Sequence, residues 1–207
     1  MPTLVSIPNH IADFGASVLS SWQGLEPWEL TSQSEEIVRS VVKHLSSHEY
    51  DIADGIAVHK TATIEAGAVL KGPLVVGARC FVAAGAYLRG GCWIAESCIF
   101  GPGSELKSSF VFSGSKLAHF NFVGDSVLGS GVNLEAGSII CNYRNERENK
   151  QILVRLESGL HPSGVDKFGA LVGDRSRIGA NAVVAPGALL KPASVIRRTE
   201  LCDQEAP

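Results

Sequence analysis

The segment that decides the fold is IADGIAVHKTATIEAGAVLKGPLVVGARCFVAAGAYLRGGCWIAESCIFGPGSEL, residues 52–106. A large apolar residue returns at every sixth position through it: Ile52, Val58, Ile64, Leu70, Val76, Val82, Leu88, Ile94, Phe100 and Leu106. A fixed period takes precedence over local propensity, and six residues is the period of a parallel β-helix. Three hexads make one triangular coil, so residues about eighteen apart stack one strand spacing, ~4.8 Å, above each other. After two five-residue steps the register continues through Val111, Leu117, Val123, Leu128, Leu134 and Ile140, then resumes at Val172, Ile178, Val184, Leu190 and Ile196. The expectation is an all-β solenoid of about seven coils over residues 51–199.

Four residues after each apolar position comes a second inward residue, usually small: Ala62, Ala68, Cys80, Ala86, Cys92, Cys98 and Ser104. Three of the five cysteines fall in this slot, and no CxxC pair accompanies them, so they read as reduced core filler rather than disulfides or zinc ligands. Between Arg144 and Asp166 the hexad lapses, which marks a loop or small hairpin inserted on one face. Residues 1–50 have another texture. Ile37, Val38, Val41, Val42 and Leu45 follow helical spacing, and Ser32 with Glu35 reads as a capping box, predicting a helix from about Gln33 to Ser46. Residues 200–207 read as a short terminal cover or tail.

The composition, 45% hydrophobic and 19% charged with a formal charge of −3, is that of a globular protein. No Lys/Arg run offers a footprint for nucleic acid or an anionic membrane, and no stretch has the length of a membrane span or the shape of a signal peptide. A cytoplasmic location is the expectation. His44 and His48 lie four apart on the expected helix, but no third ligand accompanies them and no metal is expected.

Chemistry gathers in KSSFVFSGSKLAHFNFVGDSVLGSGVNLEAGSIICNY, residues 107–143, where polar side chains interrupt an aliphatic repeat. Leu88 and Leu106 are eighteen apart, so Arg89 and Lys107 project from the same corner of successive coils. Like charges that close repel unless an anion lies near both. A phosphate-bearing ligand meets that need, and Glu105 meets part of it. An imidazole can accept a proton from an attacking amine or hydroxyl near neutral pH, which makes His119 a candidate base, with Lys116, Asn121 and Asn133 nearby. No GxSxG nucleophile motif is present, which favours direct transfer over a covalent intermediate. Backbone amides at corners such as Gly179-Ala180 are candidate oxyanion donors.

The segments AYLRGG (86–91), LK (106–107), GSKLAHFNFVGD (114–125), VNLEAGSIICNY (132–143) and DKFGALVGD (166–174) together resemble the hexapeptide-repeat acetyltransferase half of the bifunctional glucosamine-1-phosphate acetyltransferase/uridylyltransferases. The resemblance runs from about Ile52 to Ile196. It implies a left-handed β-helix, acetyl-CoA or another acyl-CoA as co-substrate, and a homotrimer with sites between neighbouring helices. It also implies roles: His119 as general base, Arg89 and Lys107 on the sugar phosphate, Asn133 and Lys167 on the sugar, and Asn142, Tyr143 and Ala180 near the acyl-CoA. The small-molecule partner would be an amino-sugar phosphate or nucleotide sugar.

Three departures stand out. Phe122 replaces a substrate-binding tyrosine, the 144–166 insertion is longer than the family's turn, and fifty mixed residues at the start cannot hold a nucleotidyltransferase domain, so uridylyl transfer is not expected. Alternatives at this level are O-acylation of a UDP-sugar, a non-catalytic sugar-nucleotide-binding or scaffold β-helix, and a β-helix carbonic anhydrase. His59 and His119 lack convincing ligand spacing for the last.

Overall fold

A computed structural model describes residues 3–205. The apolar hexad lays down three short strands per coil, and parallel pairing stacks them into three faces. Face A begins with Ile56–His59 and runs up through Leu74–Val76, Cys92–Ile94, Phe110–Val111, Val127–Leu128 and Ala170–Val172 to Ala188–Leu190. Face B runs from Thr63–Ile64 to Val195–Ile196, and face C from Val69–Leu70 to Leu201–Cys202, each with seven strands. The expected apolar positions pair with one another in register, as in Leu88 with Leu106 and Leu106 with Val123. Their side chains fill the coil interior, where residues from Leu74 to Ile178 are essentially inaccessible. Each such side chain contributes ~1.5–3 kcal/mol of transfer free energy.

The outward row of face A is also apolar: Ala57, Val75, Trp93, Phe110, Val127 and Leu171, all buried. Residues 5–45 cover it with Val5, Ile7, Ile11, Phe14, Leu19, Trp28, Leu30 and Ile37, while Ile152 and Val154 of the insertion cover its upper end. Faces B and C have no such cover among the described residues. Among the described residues, no helix is long and apolar enough to cross a membrane.

The N-terminal region differs from expectation. Its described residues form three 3-10 turns and two helices, α1 (Pro27–Ser32) and α2 (Ser34–Lys43), instead of one helix from Gln33 to Ser46. Ser32 is no cap: its hydroxyl donates to the Glu29 carbonyl inside α1. The capping box is formed by Glu26 and Glu29, with Pro27 pre-setting the first turn. Ile52 is displaced as well. It lies on Tyr50–Ala53, an antiparallel strand turned back by Asp54-Gly55, and is 41% exposed. Both turn residues have positive φ, the geometry a two-residue hairpin demands, so the first coil starts at Ile56.

The insertion forms an antiparallel hairpin, Leu153–Leu156 with Gly159–Pro162, and the amide of Phe168 donates to the Asn142 carbonyl at its base. Residues 201–202 are the last rung of face C, paired with Val183–Val184. Just beyond them Asp203 and Glu205 hold the buried Arg144, at 2.7 and 2.9 Å.

Two outcomes test this packing. A Cβ on Gly101 would overlap the Ala118 carbonyl, whereas one on Gly15 meets nothing within 4 Å. Gly101→Ala is expected to lower the urea unfolding free energy by more than ~2 kcal/mol and Gly15→Ala to change it by under ~0.5 kcal/mol. Burial pushes the Cys92 thiol up to about 11, and donation to Cys80 together with burial raises that of Cys98. Both should resist a thiol reagent at pH 8 in the folded chain and react once it is denatured.

Candidate active site

Each coil passes from face A to B to C, so Arg89 and Lys107 fall on the C/A edge of face C and His119 on its B/C edge. Lys107 ends the strand Glu105–Lys107 at the C/A edge. It stacks directly on Arg89, as the eighteen-residue spacing predicts. Both cations already have carboxylates. Glu105 accepts from Arg89 at 2.6 Å, and Asp125 from Lys107 at 2.8 Å. The Lys107 pair is the more enclosed, with side chains 18% and 8% exposed. Asn142, one coil above Asp125, donates its side-chain amide to the same carboxylate. Asp125 thus joins Lys107 to Asn142 and ties the lower rung to the base of the insertion. Tyr143 follows at the surface with Lys150 5.3 Å from its ring centroid, and Lys167 is exposed beside Phe168 at the insertion's other end.

His119 lies on the opposite edge, B/C, between the strands Lys116–Leu117 and Phe122–Gly124. Its carbonyl accepts from Gly137, while its exposed imidazole makes no hydrogen bond among the described residues. Phe120 beside it has positive φ and is 72% exposed. Asn133 stands on face B between Lys116 and Arg177. Phe122 is on face C itself, half-buried between Glu105 and Ile139. One chain therefore does not bring His119 to Arg89 and Lys107: the width of face C, roughly 10–20 Å, separates them.

The amide of Ala180 is not free for an oxyanion, because it donates to Glu135 at 2.9 Å, and that of Gly179 donates to Ile196. Glu135 also takes a bidentate pair from Arg198, both contacts 2.8 Å. The guanidinium and then the Ala180 amide hold its carboxyl below the usual range. Arg177, Arg197 and Arg198 line a groove of about 460 Å³ with Asn133 and Glu135. Sequence reasoning passed over Asp125 and Glu135 as site residues. Asp125 was within reach of it, being eighteen residues after Lys107, whereas the Glu135–Arg198 pair spans sixty-three residues and an insertion. Among the described residues, no three His, Cys, Asp or Glu side chains are grouped to hold a metal.

No family model matches the chain. The bifunctional protein GlmU of Methanococcus maripaludis strain C7 is 31% identical over 198 residues, 92% of this chain and 47% of that protein. GlmU of Pseudoalteromonas atlantica is 35% identical over 161 residues, 75% of this chain and 30% of that one. The bifunctional sugar-1-phosphate nucleotidylyltransferase/acetyltransferase of Sulfurisphaera tokodaii is 36% identical over 104 residues, 47% and 25% of the two chains. The chain spans about half the length, or less, of the curated relatives it matches. A solved Arabidopsis UDP-N-acetylglucosamine acyltransferase covers 70% of the chain and 58% of its own at 16% identity, with a TM-score of 0.39, too loose a likeness to bear on function. The six-residue repeat, the stacked faces and the similarity to GlmU identify the chain as a hexapeptide-repeat parallel β-helix, resembling the acetyltransferase half of the bifunctional GlmU proteins.

Proposed function

We propose that the chain is a cytoplasmic, trimeric acyltransferase that moves an acyl group from acetyl-CoA or another acyl-CoA to the amine of an amino-sugar phosphate or nucleotide-linked amino sugar. One observation supports the reading: His119 lies at one edge of face C and Arg89 and Lys107 at the other, while face A is closed by the chain's own N-terminal region. A site split in this way becomes whole when the B/C edge of one copy meets the C/A edge of its neighbour. The names of the relatives supply the class of chemistry.

In this reading Arg89 and Lys107 hold the phosphate, Asn133 and Lys167 contact the sugar, and Phe122 gives it an apolar wall. The amine attacks the thioester carbonyl, His119 takes the proton released from nitrogen, and the CoA thiolate leaves and recovers that proton. Because the Ala180 amide is engaged by Glu135, the Tyr143 hydroxyl and the second side-chain N–H of Asn142, beyond the one donated to Asp125, are the better hydrogen-bond donors towards the acyl end. Arg177 and Arg197 in the face B groove suit the phosphates of CoA.

A second reading, a non-catalytic sugar-nucleotide-binding β-helix, draws on the fact that both phosphate cations and the Ala180 amide already have carboxylate partners. Thiol release from acetyl-CoA with glucosamine 1-phosphate or UDP-glucosamine separates the two. Turnover is expected, and His119→Ala should lower kcat by about 10²–10⁴ while KM changes little. Undiminished turnover in that variant rules out His119 as the base, and saturable sugar-nucleotide binding without turnover across acyl donors favours the second reading. Asp125→Asn should cost about 2 kcal/mol in urea unfolding, because it leaves a largely enclosed ammonium without its counter-charge.

A further inference from the structure

The cation pair at the C/A edge has a third member one coil lower. Lys71 follows Leu70, which pairs with Leu88, and its own amide donates to the Leu88 carbonyl at 2.9 Å. Lys71, Arg89 and Lys107 therefore form a ladder over three successive coils. The ring of Tyr87 lies beside the two lower rungs, 5.1 Å from the Lys71 ammonium and 5.5 Å from the Arg89 guanidinium. An aromatic face attracts cations without neutralising them. Arg89 and Lys107 each have a carboxylate, whereas Lys71 is exposed and has none among the described residues.

The upper end of the same edge has the opposite character. The joint between α1 and α2 is docked there, with the Ser34 hydroxyl on the Gly90 carbonyl at 3.2 Å. It shapes a pocket of about 400 Å³ in which Ser32, Gln33, Glu35 and Glu36 face Ser108 and Asp125. Hydroxyls and carboxylates suit a hydroxylated, amine-bearing sugar and repel phosphate. The edge thus grades from excess positive charge at Lys71 and Arg89 to sugar-compatible groups at Ser108 and Asp125.

Adjacent rungs are ~4.8 Å apart and the outer two ~9.6 Å. With charge-assisted contacts of ~2.8 Å, a single phosphate bridges two neighbouring rungs and falls short of three. We propose that Lys71 is a third anion-binding residue and that the acceptor is an amino sugar carried on a diphosphate, its two phosphates spanning Lys71, Arg89 and Lys107 and its sugar against Ser108 and the α1–α2 joint. The inference rests on the reading of Arg89 and Lys107 as the phosphate-holding pair.

The test is calorimetric titration of the full chain with inorganic phosphate and with pyrophosphate at one ionic strength. Pyrophosphate should bind about tenfold tighter, Lys71→Ala should erase that margin while sparing phosphate, and Lys71→Arg should keep it. Equal affinities in the unaltered chain, or equal losses for both anions in Lys71→Ala, overturn the proposal. UDP and geranyl diphosphate as competitors distinguish a nucleotide carrier from a lipid one. Turnover separates this inference from the one beneath it. The expected anion pattern with no acyl transfer to UDP-glucosamine removes the acyltransferase reading and leaves the ladder. Transfer that prefers glucosamine 1-phosphate and ignores Lys71→Ala keeps the enzyme and removes the diphosphate.

Discussion

In-register stacking of the inward apolar row is the constraint from which the rest follows. A coil closes only if its three strands return beneath those of the next, so Leu88, Leu106, Val123 and Ile140 must align on face C and Phe100, Leu117 and Leu134 on face B. The inward positions are thereby committed to the core, and only outward and corner positions can vary. The insertion obeys the same rule. It departs and returns at one corner, closed by the Phe168–Asn142 backbone bond, so that Leu128 still meets Val172 and Ile140 still meets Val184.

A solenoid also has to cover what it exposes. Here the outward row of face A is nearly as apolar as the interior, and the N-terminal segment and the hairpin are its cover. Gly91 allows the close approach: a Cβ there would collide with the backbone of Ser34 and Glu35, where the α1–α2 joint meets the C/A corner. The packing that buries Trp93 and Phe110 therefore also sets α2 beside Ser108 and Asp125. Stability and site shape share one interface.

The coil was legible because its period is strict and its interior admits few residue types. Arg89 over Lys107 followed from counting alone. What could not be counted was contact between segments of different period. Ile52 obeyed the spacing yet lies outside the coil, because Asp54-Gly55 reverses the chain, and a local turn outweighs one apolar residue in register. Ser32 and Glu35 had the form of a capping box, but Glu26 and Pro27 start an earlier helix that consumes Ser32. The apolar row at Val75, Trp93, Phe110 and Val127 was readable at the same eighteen-residue spacing and would have indicated a covered face. Of the covering residues, Ile37, Val38 and Val41 follow helical spacing, whereas Ile7 and Phe14 lie in 3-10 turns and carry no comparable pattern.

The carboxylates at the candidate site change what ligand binding means there. Stacked cations without counter-ions would repel across one strand spacing, so Glu105 and Asp125 stabilise the unliganded edge. An incoming phosphate must exchange with them rather than fill an empty charge hole. The two exchanges differ in cost. Glu105 is half-exposed and its pair with Arg89 is worth ~0–1 kcal/mol, so solvent can take over the displaced carboxylate. Asp125 is buried and also accepts from Asn142, so removing it would strand two donors and an enclosed carboxylate. Arg89 is consequently the rung that trades its partner for phosphate, while Lys107 keeps Asp125 and meets the anion as a second, already paired contact. That asymmetry directs an anion towards the lower coils.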